Sequence, residues 1–372
     1  MPIVIQPYRE EHEAAVHEFN QRLQSAGAET DLVFFRFAQP RWLPPHDAAK
    51  LYQEYFVALE NGVVRGGYAL KHQEFFFADG TRSVAYYHHP LSEGIVDKSY
   101  AAVGSMLLKH AMNRSPLLYC LGMGGYDRPL PKMLMRLGWD HFPVPFYFHV
   151  VRPRRFFQEM QALRTSASRR LLLNLAAFTG TGWAGVRTMQ GLRKLSAPSV
   201  APFSFEEVKD FSDWIDPLWE QGKSHYSMTA VRDCQTERTL YPASDTHFTR
   251  LRVLREGQDI GWAVVGERRK DEKYGELRVG SIVDCWASPD DALPVVQTAA
   301  RVLTDAGVDL IVSNQSHRLW ARAFEHAGFL NSPSNFIFAA GKNLSALLKP
   351  FAENQFRMHF TRADGDGLPR NF

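Results

Sequence analysis

The chain has 372 residues, 45% of them hydrophobic and 22% charged, which is the composition of a globular protein long enough for two or three domains. A formal charge of +3 is too small to imply a nucleic-acid partner for the whole molecule. Three cysteines (Cys120, Cys234, Cys285) without a CxxC spacing support neither a disulfide framework nor a zinc site. The start "MPIVIQPYREEHEAAV" lacks a basic stretch followed by an apolar one, and no run approaches roughly 18 apolar residues, so the sequence reads as cytoplasmic.

In chain order, a helical stretch "YREEHEAAVHEFNQRLQSAG" is followed by "YFVALENGVVRGGYALKHQEFFFADGTRSVAYYHH". The latter reads as two hairpins, with turns at Glu60-Asn61-Gly62 and Ala78-Asp79-Gly80. After "GIVD" (94–97) come a helix "YAAVGSMLLKHAM", an apolar strand "PLLYCLGMG" and a helix closed by Gly138-Trp139. Gly138 takes the left-handed position that ends a helix.

Residues 151–200 then interrupt with nine Arg or Lys and one acidic residue, a net +8 that leaves −5 for the rest of the chain. Beyond them the first pattern returns. A stretch "SFEEVKDFSDWIDPLWEQG" reads as helical, and "FTRLRVLREGQDIGWAVVGERRKDEKYGELRVGSIVDCW" reads as hairpins with turns at Glu256-Gly257 and Lys270–Gly275. "SIVD" (281–284) precedes a helix "DALPVVQTAARVLTDAG", a strand "VDLIVSNQ" and a helix closed by Gly328-Phe329. Asp97 precedes Gly138 by 41 residues and Asp284 precedes Gly328 by 44, so order and spacing mark a tandem repeat.

This element order, with the endings "LMRLGW" and "FEHAGF", resembles the GNAT fold of N-acyltransferases, which move an acyl group from coenzyme A to an amine. The resemblance implies an α/β (α+β) chain of two tandem GNAT-like acyl-CoA N-acyltransferase domains, with mixed sheets flanked by helices. Their expected limits are 1–150 and 201–345, joined by a basic helical linker (151–200) and followed by a tail (346–372). Structures of Fem-like aminoacyltransferases, also built from two such halves, are the neighbouring resemblance.

The family holds a pyrophosphate at a Gly-rich turn opening a helix, where free N–H groups and the helix dipole favour an anion. The matching stretch is "SYAAVG" after Lys98, so Lys98, Ser99, Ala102, Val103, Gly104 and Ser105 are the expected acetyl-CoA or acyl-CoA contacts. Ser99 stands where the family has Gln or Arg, and an ordinary helix start with small residues is the competing reading. The second copy has Asp290 and Asp291 there, which would repel a phosphate. The family's acidic Tyr is replaced by Leu134 in one copy and Phe324 in the other, so Tyr126 is the substitute candidate for protonating the leaving thiolate, against a packed aromatic.

For the base, "YYHHPLSEG" offers His88, His89 and Glu93. Strand alternation lets one of the two histidines face the cleft, and Glu93 suits ammonium binding. Asp284, Asn314 and His317 fall at strand ends of the second copy and either line an acceptor pocket or act as caps and turn residues. No metal is expected.

The resulting expectation is an acyl-CoA-dependent N-acyltransferase, most simply an N-acetyltransferase, acting on a small amine such as an amino sugar or amino-acid derivative. The alternatives are an aminoacyltransferase using tRNA and a catalytically silent scaffold; DNA is not an expected partner. In the basic bridge, Trp183, Val186, Met189, Leu192 and Leu195 recur every third residue among Arg187, Arg193 and Lys194. That pattern fits either an anionic membrane surface at the inner face of the membrane or a linker helix packed between domains.

Overall fold

The computed structural model describes residues 2–29, 32–40, 43–44, 50–160, 181–267 and 274–365. Two mixed sheets organise them. The first half supplies β1 (Val4–Pro7), α1 (Glu13–Ser25), β2 (Tyr52–Glu60), β3 (Val63–Phe77), β4 (Gly80–Ser92), α2 (Val103–Arg114), β5 (Leu118–Gly122), α3 (Pro129–Arg136), β6 (Asp140–Pro143) and β7 (Phe146–Val150). The bridge contributes α4 (Pro153–Glu159) and α5 (Thr181–Leu195). The apolar run 171–178 lies outside the described residues.

The second half supplies β8 (Ser204–Val208), α6 (Ile215–Gly222), β9 (Met228–Ala230), α7 (Cys234–Leu240), β10 (Phe248–Arg255), β11 (Gln258–Glu267) and β12 (Val279–Ala287). It continues with α8 (Ala292–Asp305), β13 (Leu310–Asn314), α9 (Arg318–His326), β14 (Leu330–Ser332), β15 (Ile337–Ala340) and β16 (Met358–His359).

The sheet orders are β1-β2-β3-β4-β5-β15-β6 and β8-β10-β11-β12-β13-β7-β14, with β9 and β16 added beside β3. Element for element these are one topology written twice, with β4–β5 and β12–β13 as the parallel pairs of the two seven-strand paths. The strand between the fifth and the last position is exchanged. β7 from the first half pairs with β13 and β14, while β15 from the second pairs with β5 and β6. The expected division into 1–150 and 201–345 is therefore crossed by one strand in each direction.

Both repeat landmarks at Gly-aromatic have a common physical cause. Gly138 (φ 74°) and Gly328 (φ 88°) are left-handed. Behind them Trp139 N–H donates to Leu134 O and Phe329 N–H to Phe324 O, at 3.1 and 3.0 Å. Gly138 N–H and Gly328 N–H reach Met135 O and Glu325 O. This is the Schellman motif twice over, with its usual apolar contact between the residue four before Gly and the one after it. The hairpin turns repeat as well: Asn61-Gly62 and Glu256-Gly257 all have positive φ, as two-residue turns matched to strand twist require. The Lys270–Gly275 turn lies largely outside the described residues.

Two expectations change. The first part of "SFEEVKDFSDWIDPLWEQG" is strand β8, an edge strand paired with β10, because pairing along an open sheet edge overrides a helical pattern of five residues. The "GIVD" and "SIVD" landmarks are not equivalent: Asp97 caps a short helical turn after β4, whereas Asp284 lies buried within β12. The true correspondence follows the bulges. One extra residue is inserted in β4 between His88 and Leu91 and one in β12 at Val283.

The first sheet buries α1 on one face, with Val16, Phe19 and Leu23 against Tyr55, Val57 and Ala69. On the other face α2 and α3 pack Val103, Leu107 and Leu134 against Tyr68, Tyr87 and Trp139. A further core of Phe75, Tyr119, Phe338 and Phe360 joins the first sheet to the exchanged strand and the C-terminal segment. Phe338 on β15 is fully buried, with its ring 4.5 Å from Phe360 and 5.3 Å from Phe142. We expect Phe338→Ala to cost about 3–5 kcal/mol. Because the strand exchange ties both sheets together, urea unfolding followed by fluorescence and by circular dichroism should remain one coincident transition; two separated transitions would contradict that coupling.

Candidate functional site

In each sheet the parallel pair parts soon after it forms. β4 and β5 share the register pairs Ala85–Leu118 and Tyr86–Tyr119; β12 and β13 share Val279–Leu310 through Ser281–Val312. Beyond those pairs the two strands diverge, leaving a wedge beside the bulge and next to the helix that follows. The two wedges differ in what fills them.

In the second half the wedge is occupied by the chain itself. Residues 358–361 are bonded on one side to β12, through His359 Nε2 to Cys285 O (3.0 Å) and Thr361 Oγ1 to Asp284 Oδ1 (3.0 Å). On the other side Phe360 N–H donates to Ser316 Oγ at 2.8 Å, and Ser316 Oγ donates to Met358 O at 2.6 Å. The expected acceptor-pocket residues serve this plug. Asp284 is fully buried and takes Arg232 Nε and Nη2 at 3.2 and 3.1 Å; Asp364 takes the same guanidinium at 2.9 Å. Asn314 Oδ1 accepts from Arg362 Nη1 at 2.7 Å. His317 caps α9 through Leu319 N–H. Asp284 and Asn314 are thus bonded to the C-terminal segment, and all three residues are buried.

That network contains more charge than the sequence advertises. Burial pushes the Glu237 carboxyl well above the usual range, with Asp284 nearby adding to the effect, and neither of its oxygens has a hydrogen-bond partner among the described residues. Lys71, fully buried on β3, donates to Ala363 O and is lowered to about 8 by burial.

In the first half no strand enters the wedge among the described residues. The bulge, with His89 at φ 52°, breaks strand alternation and turns both histidines to one face, where Phe35 meets His88 at 6.1 Å and His89 at 5.0 Å. His89 Nε2 is bonded to Val33 O at 2.6 Å, which commits it to the loop before β2. His88 lies against Gln53 Nε2 at 3.2 Å, and burial, with His89 and Lys71 nearby, holds its pKa well below the ordinary value. It is a neutral imidazole at the wedge.

Glu93 is engaged in a double ion pair. Its two oxygens take Arg22 Nε and Arg65 Nη1 at 2.9 Å each. Burial alone would raise its pKa, but the hydrogen bonds from the two arginines hold it below the usual carboxylate range. Tyr126 follows β5 in a turn and shares its hydroxyl with His141 Nδ1 at 3.3 Å. Leu134 and Phe324, at the position of the missing Tyr, are buried in the Schellman contacts described above.

The N-termini of the two following helices complete the contrast. At α2 the N–H groups of Ala102, Val103, Gly104 and Ser105 have no partner among the described residues, and Lys98 is exposed beside them. A Cβ built on Gly104 would meet only Ser92 Oγ, at 4.0 Å, so an approaching group has room. Ser99 departs from expectation, since both its N–H and its hydroxyl are bonded to Asp97 Oδ1. At α8 the first turn is buried, contains Pro294, and is preceded by Asp291 paired with Arg255 at 2.7 Å. An acidic recess of about 330 Å³ in the second half, lined by Asp216, Trp219, Glu220, Asp233 and Gln235, is partly consumed by Asp216 and Asp233 bonding backbone N–H groups. Among the described residues no three His, Cys, Asp or Glu side chains converge as a metal site, and no helix is long and apolar enough to cross a membrane.

Two outcomes follow. We expect Glu93→Gln to lower stability by roughly 2–4 kcal/mol by leaving two guanidinium groups under-paired, measured by chemical denaturation; unchanged stability would return Glu93 to the catalytic candidates. His149 and His317 are both lowered to about 4 by burial. Their folded values lie below the unfolded one, so the stability they confer is complete above about pH 6.5 and is lost as pH falls toward 4, at up to about 1.4 kcal/mol per pH unit for each. A flat stability profile between pH 7 and 4.5 would contradict their burial as neutral rings.

No family model matches the sequence, and no curated protein does. Among solved structures, a conserved protein of unknown function from Enterococcus faecalis V583, described as a probable N-acyltransferase, superposes with a TM-score of 0.51 at 10% identity, over 94% of this chain and 74% of that one. Saccharomyces cerevisiae N-myristoyltransferase with bound myristoyl-CoA gives 0.49 at 10% identity, over 91% and 78%. A tandem GNAT protein from the clavulanic acid biosynthesis pathway gives 0.45 at 12%, over 92% and 99%. The chain thus shares the fold of that Enterococcus faecalis protein, with one seven-strand order present twice.

Proposed function

We propose that the chain is an acyl-CoA-dependent N-acyltransferase that takes its donor in the first half alone. The observation that carries this reading is the asymmetry between two equivalent places: one wedge and helix N-terminus are open, the other pair is plugged and acidic. Free N–H groups at Ala102–Ser105, the dipole of α2 and the Lys98 ammonium suit a pyrophosphate. From there the thioester arm would run into the opening between β4 and β5. Tyr87, the first residue past the last register pair, supports this: its buried hydroxyl has no partner among the described residues, and such groups are rarely left unmet.

The acceptor is a small primary amine, such as an amino sugar or an amino-acid derivative. His88, neutral because buried, takes the proton from the attacking nitrogen. The nitrogen adds to the thioester carbonyl, and the thiolate leaves as the tetrahedral centre collapses. Tyr126, with His141 behind its hydroxyl, supplies the proton to the departing sulfur.

Calorimetry of the full chain with acetyl-CoA and with a long-chain acyl-CoA should give one site per chain. Gly104→Glu should weaken that site at least roughly tenfold by adding bulk and like charge at the N–H cluster. Two sites, or affinity unchanged in the variant, would overturn the assignment. His88→Gln should leave donor binding intact and lower kcat by about 10²–10⁴. A fall in donor affinity with kcat preserved would make His88 structural.

A further inference from the structure

The His88 ring is fixed by aromatic contacts and by a single hydrogen bond. Tyr86 stacks on it with centroids 4.9 Å apart and planes at 10°, and Phe35 meets it edge-on at 6.1 Å. The side-chain amide of Gln53, almost fully buried on β2, comes within 3.2 Å of Nε2. Register explains how it reaches. Tyr55, Ala69 and His88 stand in one row across β2, β3 and β4, and Gln53, Lys71 and Tyr86 stand in the next. Ala69 puts little bulk between the outer strands, so Gln53 meets the ring diagonally across β3.

The aromatic contacts set the plane of the ring, and the hydrogen bond sets which nitrogen carries the proton. The two ends of an amide have nearly the same shape, so the hydrogens decide which end faces the ring. With the nitrogen there, the imidazole carries its proton on Nδ1, which has no hydrogen-bond partner among the described residues. Buried N–H groups are rarely left so. With the oxygen there, Nε2–H donates to Gln53, and the amide nitrogen turns to the Tyr55 hydroxyl, 3.5 Å from the other end of the amide. That hydroxyl can rotate to accept, and Nδ1 keeps its lone pair.

Among the described residues the titratable neighbours of this arrangement are His89 and Tyr86 on β4, Lys71 on β3 and Tyr55 on β2. None is a carboxylate. A carboxylate in the place of Gln53 would also fix the tautomer, but it would favour the imidazolium. An amide orients the ring without adding charge, so His88 stays a neutral acceptor.

We propose that Gln53 is a positioning residue for His88: its amide oxygen holds the Nε2 proton and leaves Nδ1 as the atom that takes the proton of the attacking amine. This role rests on the assignment of His88 as the base. In the transfer the amine N–H bond breaks and its electron pair stays on the nitrogen that adds to the thioester carbonyl. The proton forms the Nδ1–H bond. The resulting imidazolium still donates through Nε2 to Gln53, in a hydrogen bond strengthened by the charge.

The test is ring-nitrogen NMR of the full chain with isotopically labelled histidine, the His88 signals being assigned by their loss in His88→Gln. Long-range nitrogen–proton correlations distinguish a protonated ring nitrogen from a bare one. At neutral pH the Nε2–H form of His88 should exceed the Nδ1–H form at least about tenfold. Gln53→Leu should lower that ratio severalfold. Gln53→Glu should raise the pH at which the ring takes its second proton by about 1–3 units, since a carboxylate beside Nε2–H favours the imidazolium. The added proton should appear on Nδ1.

A wild-type ring protonated on Nδ1 would overturn the role, because the amide nitrogen would then face it; this reading needs no variant to fold. So would a ratio unchanged in Gln53→Leu, or a Gln53→Glu ring that titrates no higher than the wild type, in variants whose melting curves show them folded. The kcat of His88→Gln bears on the base assignment alone, so the two can fail separately.

Discussion

The two sheets depend on a reciprocal exchange of one strand. β7 is hydrogen-bonded on both sides by strands of the second half, and β15 on both sides by strands of the first. Neither sheet is continuous without the other half of the chain. The aromatic core around Phe338 and Phe360 forms where that exchange brings the C-terminal segment under the first sheet. The placement of both wedges follows, because each wedge is bounded by a parallel pair whose outer neighbour is the exchanged strand.

The same exchange explains why two copies of one topology need not do the same chemistry. The C-terminal segment leaves β15 beneath the first sheet and returns into the second wedge, where the His359 ring meets the Cys285 carbonyl and the Thr361 hydroxyl donates to the Asp284 carboxylate. A buried guanidinium, Arg232, shared between Asp284 and Asp364, fixes it there. Removing one partner of such a set leaves an uncompensated interior charge, so the plug is held by the cost of withdrawing it as well as by its contacts.

Much of this was legible in the residues. The Gly-aromatic endings could be read because a left-handed C′ position selects Gly and the Schellman contact selects an apolar partner, and both constraints are local. The two-residue hairpin turns were legible for the same reason. The strand exchange was not, because β7 and β15 have the same composition whichever sheet they join. The site was read less well. Glu93 and His89 stand in the expected stretch, and their partners Arg22, Arg65 and Val33 lie far off in sequence. Asp284, Asn314 and His317 do cluster, but the group they cluster around comes from residues 358–364. The bulge that turns His88 to the face shared with His89 leaves no signal beyond an unremarkable "HHP".

The position of β15 also sets an order of events during synthesis. The slot between β5 and β6 stays open while 194 further residues are added, from Pro143 to Ile337. At about 5–20 residues per second that interval is about 10–40 s, during which two strand edges of the first sheet are available for pairing with any other chain. A nascent polypeptide of this design is therefore exposed to mispairing for most of its translation, and its second half acts on the first as an intramolecular edge cover that arrives late.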